Sequence, residues 1–199
     1  MLKIGIIGAG IVGSALAIRL AENGYKVVAV SSRTPVGAEK LAKIIKGCQA
    51  VSTNQMVADM ADIIFITTPD AAIPQIASEL QWHQGQSVIH CSGADSSEVL
   101  QPARHMGANT GVFHPLQTFA SVKQAISNLP GSTFAIEGEE PLLTTLKEMT
   151  ASLQCRWIEL KAENKVVLVS ALSIAPPEAY LPPLHILAMC LWCSCILCI

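Results

Sequence analysis

With 199 residues, 51% of them hydrophobic and only 14% charged, the chain can bury one substantial core and has room for the start of a second domain. A net charge of -2 offers no basic field for nucleic acid, and the low charge fraction suits a parallel sheet covered on both faces. The apolar N-terminus reads as part of the fold rather than as an export signal, because Gly8, Gly10 and Gly13 interrupt it and no small-residue cleavage site follows.

Leu2 to Ile7 is a short Ile-rich run that stops at Gly8, after which apolar residues recur at helical spacing through Leu20, so the segment predicts strand, turn and helix. The turn is Gly8-Ala9-Gly10-Ile11-Val12-Gly13, the G-x-G-x-x-G spacing of a dinucleotide site. Gly8 permits the tight turn, Gly10 lets the backbone approach a pyrophosphate, and Gly13 lets helix and strand pack closely. The N–H groups at the helix start then face the phosphates.

Gly24 is expected as the left-handed cap of that helix, and Lys26 to Val30 as the second strand. An NAD site usually has Asp or Glu after this strand to hold the ribose 2′-hydroxyl, but here stands Ser31-Ser32-Arg33-Thr34. An acid would repel a 2′-phosphate, whereas Arg33 and two hydroxyls would hold one. NADP is therefore favoured over NAD; the competing reading is a solvated loop arginine. Pro35 to Ile45 predicts a helix, Ala50-Val51 a third strand and Gln55 to Met60 a short helix. Asp62 to Ile66 is a buried strand ending in Thr67-Thr68-Pro69-Asp70, a turn expected to flank the cofactor, with Asp70 capping a helix from Ala71 to Leu80.

Ser87 to His90 predicts a strand ending in Cys91-Ser92-Gly93-Ala94-Asp95, followed by a helix from about Ser96 to Met106. Thr110 to Phe113 predicts another strand, ending in His114-Pro115. Strand Ser132 to Ile136, helix Pro141 to Leu153 and strand Arg156 to Ile158 complete the alternation, which specifies an α/β, doubly wound, mostly parallel sheet of Rossmann type over residues 1–160. Ser92 and His114 each follow a strand beyond the nucleotide half, where a nicotinamide and a substrate would meet. A hydroxyl there can orient a carbonyl or hydroxyl group, and an imidazole can exchange a proton near neutral pH. Alternatively, Ser92-Gly93 is only a turn and His114 only steadies Pro115. His90 and Cys91 read as packing residues at the sheet end; Cys91 as a nucleophile is the alternative, but the sequence places no base for it.

The stretches Gly8 to Gly13, His90-Cys91-Ser92-Gly93-Ala94-Asp95 and Gly111-Val112-Phe113-His114-Pro115-Leu116-Gln117-Thr118-Phe119 resemble a bacterial family of Rossmann-like, NADP-binding oxidoreductases. Members join the nucleotide domain to a helical C-terminal domain of unknown function. The N-terminal half is similar to deazaflavin-dependent NADP reductases and to pyrroline-5-carboxylate reductase. The resemblance covers roughly residues 1–165 and implies hydride transfer between NADP and a small carbonyl, imine or hydroxy substrate in a homodimeric enzyme. A more distant likeness to prephenate dehydrogenases implies substrate contact for Ser92 and His114. A module that holds NADP(H) without turnover is the alternative.

From Val166 to Ile199 the pattern departs from that family: one charged residue, Glu178, stands among two proline pairs and four cysteines. Residues 161–199 thus read as an apolar tail in place of a helical dimerisation domain. The cysteines Cys190, Cys193, Cys195 and Cys198 lack the turn residues that would let four thiolates converge on a metal. Leu184 to Ile199 is shorter than the about 20 residues of a membrane helix. A shifted reading frame is the favoured explanation, a metal site or a membrane or partner anchor the others. Cys48, Cys91 and Cys155, scattered singly, point to a reducing, cytoplasmic setting.

Overall fold

The computed structural model describes residues 2–160; the apolar tail and all three readings of it lie outside the described residues. In chain order come β1 (Lys3–Ile7), α1 (Ile11–Glu22), β2 (Lys26–Ser31), α2 (Pro35–Ile44), β3 (Gln49–Ala50), α3 (Asn54–Met60) and β4 (Ile63–Ile66). A 3-10 turn over Asp70–Ala72 precedes α4 (Ile73–Glu79), and β5 (Ser87–His90) leads to a second 3-10 turn over Ser97–Leu100 and to α5 (Gln101–His105). Then follow β6 (Asn109–Pro115), α6 (Val122–Asn128), β7 (Thr133–Gly138), α7 (Leu142–Ser152) and β8 (Arg156–Glu159).

The strands form one sheet in the order β3-β2-β1-β4-β5-β6-β7-β8, parallel throughout except where β7 runs antiparallel to β6. The chain winds outward from β1 to β3 and then returns to β4 on the other side of β1. That reversal makes the switch point at which open α/β sheets hold ligands, beyond the strand carboxyl ends.

Alternation along the strands builds two apolar layers. Ile4 and Ile6 face α1, α2, α6 and α7, while Ile7, Ile64 and Ile66 face α3, α4 and α5. Rings of Phe65, Phe113 and Phe134 line the first layer across three strands, with centroids 5.7 and 4.2 Å apart. Gly24 takes a left-handed φ of 86° just past α1, as expected of its position.

Four local expectations change. The helix anticipated from Ser96 to Met106 is divided, because Pro102 cannot donate in a helix interior and instead sits in the first turn of α5. Asp70 caps nothing: it opens the 3-10 turn, and neither that turn nor α4 has a side-chain cap. The α6 helix has no counterpart in the sequence reading, although Ser121 accepts the Gln124 N–H at its start and Ala125 and Leu129 enter the core. β6 runs on through His114 and Pro115, because β7 turns back and pairs with it as far as Pro115 opposite Phe134.

Among the described residues no helix is long and apolar enough to cross a membrane. Cys48 packs against the first apolar layer, and burial pushes its thiol up to about 11. Because only the thiolate reacts, iodoacetamide near pH 8 should label Cys48 on the order of a hundredfold more slowly in the folded chain than in urea. Peptide mapping by mass spectrometry reads this residue by residue, and equal rates in both states would contradict the burial.

Candidate active site

Register places the strand ends in a line. Ser31, Ile7, Ile66, His90 and Val112 are neighbours across β2, β1, β4, β5 and β6. His114 therefore stands two residues further along β6, about 6–7 Å past that line. The expectation that it follows the strand is corrected: it lies within β6, opposite Ala135 of β7. An antiparallel neighbour, rather than a loop, carries it out over the sheet edge.

The glycine turn has the shape its spacing predicts. Gly8 has φ of 110°, and a Cβ there would press on the Thr67 carbonyl and the Thr68 nitrogen. At Gly13 a Cβ would overlap the Gly8 carbonyl oxygen and Thr67 Oγ1. Gly10 differs, since a Cβ there would meet nothing within 4 Å. Packing does not require glycine at that position; a ligand approaching the backbone would. Ala9 and Val12 are half-buried and Ile11 is exposed beside the turn. Gly10 caps α1 without a side-chain hydrogen bond, which leaves first-turn N–H groups to receive an anion.

Thr67, Thr68 and Pro69 flank the turn but divide the work. Thr67 Oγ1 donates to the Gly8 carbonyl at 2.7 Å, with the Ile7 carbonyl at 3.2 Å, so this hydroxyl fixes the turn rather than facing a ligand. Thr68 Oγ1 is buried without a hydrogen-bond partner among the described residues, an orphan that a cofactor hydroxyl would satisfy. Pro69 is exposed beside it.

At the end of β2, the expected phosphate corner is rearranged. Ser31 is only 2% exposed and its hydroxyl pairs with Asn54 Oδ1 at 2.7 Å, which withdraws it from the loop. Thr34, quoted in the sequence but not counted as a site residue, takes its place. A Cβ on Gly37 would lie 3.4 Å from Ser32 Oγ, 3.5 Å from Thr34 Oγ1 and 3.6 Å from Ala9 Cβ. The two hydroxyls thus meet at the first turn of α2, next to the glycine turn, with exposed Arg33 between them in sequence. Thr34 caps that helix without spending its hydroxyl, so a phosphate there would find hydroxyls, a guanidinium and helix N–H groups together.

On the other side of the line, Ser92 lies in the turn that follows β5. It is 4% exposed, its hydroxyl donates to Asp95 Oδ2 at 3.0 Å, and it accepts the N–H groups of Ala94 and Asp95 at 3.1 Å each. A hydroxyl so engaged shapes a turn and has little left for a substrate. His114 is half-buried, with Nδ1 2.9 Å from the Cys91 carbonyl oxygen. A Cβ on Gly93 would lie 2.7 Å from His114 Nε2, so glycine is what admits the ring against the turn. Among the described residues no three His, Cys, Asp or Glu side chains group to hold a metal.

A family profile described as NADP oxidoreductase, coenzyme F420-dependent, matches residues 3–93, which run from the first strand through the glycine turn to Gly93. The chain is 40% identical over 72 residues to 2-(hydroxymethyl)glutarate dehydrogenase of Eubacterium barkeri, a match spanning 36% of this chain and 23% of that one. A crystal structure from Bacteroides fragilis, described as an NADP oxidoreductase, superposes with TM-score 0.72 and 25% identity over 86% of this chain and 65% of its own. A reductive aminase from Aspergillus terreus, in complex with NADPH and ethyl-5-oxohexanoate, shares the fold at TM-score 0.70 and 18% identity over 87% and 60%. The chain thus spans about a quarter of that curated relative and under two thirds of these structures.

Proposed function

We propose that residues 1–160 are the cofactor domain of an NADP-dependent oxidoreductase acting on a small carbonyl, imine or hydroxy substrate. Bound NADPH would supply the hydride. The chain's own residues hold and orient: Gly8, Gly10 and Gly13 shape the pyrophosphate turn, Thr67 braces it, and Thr68 offers its hydroxyl to the cofactor. Ser32, Arg33 and Thr34 select the 2′-phosphate, and His114 exchanges a proton with the substrate at the sheet edge.

The observation that carries this reading is the corner at Gly37, where the Ser32 and Thr34 hydroxyls lie against the glycine turn with no carboxylate in the loop to oppose a phosphate. Cys48 and Cys155, both thiols rather than disulfides, accord with a cytoplasmic location. Fluorescence titration tests the cofactor choice. NADPH should bind at least about tenfold more tightly than NADH, and Arg33→Ala should remove about ten- to a hundredfold of that preference, the worth of one charge-assisted contact. Tighter binding of NADH by the unaltered chain would overturn it. Oxidation of NADPH against a panel of imines, keto acids and deazaflavins then separates an enzyme from a binding module.

A further inference from the structure

His90 ends β5 with no exposed surface, yet its ring is spent on polar partners rather than on packing. Its Nδ1 lies 3.1 Å from the backbone nitrogen of Ser92 and its Nε2 lies 3.0 Å from the carbonyl oxygen of Ser96. Both partners have fixed roles. A backbone N–H only donates and a carbonyl only accepts, so Nδ1 carries the lone pair and Nε2 carries the proton. One neutral ring thus ties together the two ends of the loop that follows its own strand.

That loop is what holds His114. The Cys91 carbonyl can only accept, so His114 Nδ1 carries a proton and donates it there. Gly93 lies against Nε2 of the same ring. Inside the loop the Ser92 hydroxyl and Asp95 close a tight turn, and just past it the Ser97 N–H and hydroxyl both donate to Glu137 Oε1 on β7, at 3.0 and 2.5 Å. Glu137 is 7% exposed and belongs to the strand that pairs with His114's own. The loop is therefore anchored at its base by one ring and beyond its far end by one carboxylate.

We infer that His90 is the positioning residue of this site: in its neutral Nε2–H form it closes the loop from Cys91 to Ser96, and the closed loop holds His114 in the opposite, Nδ1–H form. The inference rests on the reading of His114 as the proton-transferring group. It assigns His90 a part in the chemistry without contact to substrate or cofactor. A flipped ring presents carbon to both loop ends, and a side chain with one polar end satisfies only one of them; either way the Cys91 carbonyl loses its fixed place under His114.

Long-range proton–nitrogen correlation spectra of the histidine rings in the full chain, near neutral pH and without cofactor, test this directly. His90 should show the Nε2–H form, with a trans-hydrogen-bond coupling between its Nδ1 and the Ser92 amide nitrogen, and His114 the Nδ1–H form. In His90→Gln, whose amide end can reach Ser96 but which has carbon rather than an acceptor at the Nδ1 position that meets the Ser92 N–H, the His114 signals should shift toward those of a solvent-exposed ring. Gly93→Ala should disturb His114 and leave the His90 form unchanged. With a turned-over substrate in hand, His90→Gln should lower kcat on the order of ten- to a hundredfold and leave NADPH affinity unchanged.

A cationic or Nδ1–H His90, or an Nε2–H His114, in the unaltered chain overturns the inference whether or not any variant folds. So does a folded His90→Gln protein whose His114 signals do not move. Because the spectra need no cofactor, a chain that ignores NADPH would sink the proposed function alone.

Discussion

Replacing His114 with Asn should lower kcat by about 10²–10⁴-fold while NADPH affinity stays as it was, the signature of a group that moves a proton without binding the cofactor. Asparagine is the informative choice, because its amide can still donate to the Cys91 carbonyl that His114 Nδ1 meets at 2.9 Å. It keeps the loop contact and removes only the nitrogen that can change its protonation. Steady-state rates on whichever imine or keto acid turns over fastest, with cofactor affinity titrated separately, distinguish the two effects. A kcat within about threefold of the unaltered chain would take His114 out of the mechanism. A large loss of NADPH affinity would instead make it a structural support of the cofactor site.

The position of His114 also shows where sequence reasoning stopped. Its strand was visible in Thr110 to Phe113, but the extension through Pro115 depends on β7 returning antiparallel, a pairing with residues some twenty positions later that no local pattern encodes. Ser31 was misplaced for a related reason. It continues the buried run from Val27 to Val30, and a strand covered on both faces gives no polar alternation to say which way a hydroxyl points. Its partner Asn54 comes from a different element, and the adjacent Thr34 was the hydroxyl that reaches the corner.

What was legible is what local chemistry decides. The glycine spacing, the left-handed Gly24 and the apolar runs gave β1, α1, β2 and β4 within a residue or so of their observed ends. His90 read as packing because burial and a sheet end are visible in sequence, whereas hydrogen bonds to the backbone at both ends of a loop are not. Ser92 with Asp95 carries a partial signal, since a hydroxyl followed three residues later by a carboxylate often closes a turn on itself.

The second large effect concerns the glycine turn, where Gly10 and Gly13 should fail in different ways. Gly13→Ala forces a methyl group onto the Gly8 carbonyl oxygen and Thr67 Oγ1, and a backbone carbonyl cannot move aside without moving the turn. Overpacking of this kind costs about 1–3 kcal/mol of stability, and a turn displaced by about 1 Å should also weaken NADPH binding on the order of a hundredfold. Gly10 has φ of -77° and ψ of -168°, which any L-residue adopts, and open space where a Cβ would stand. Gly10→Ala should therefore leave the thermal midpoint unchanged and weaken NADPH binding alone, because its methyl group occupies the space reserved for the pyrophosphate. Thermal melts of both variants with and without NADPH separate the two cases. Normal NADPH binding by Gly10→Ala would mean that the backbone at this turn is not where the cofactor lies, and the site would have to be sought elsewhere on the sheet edge.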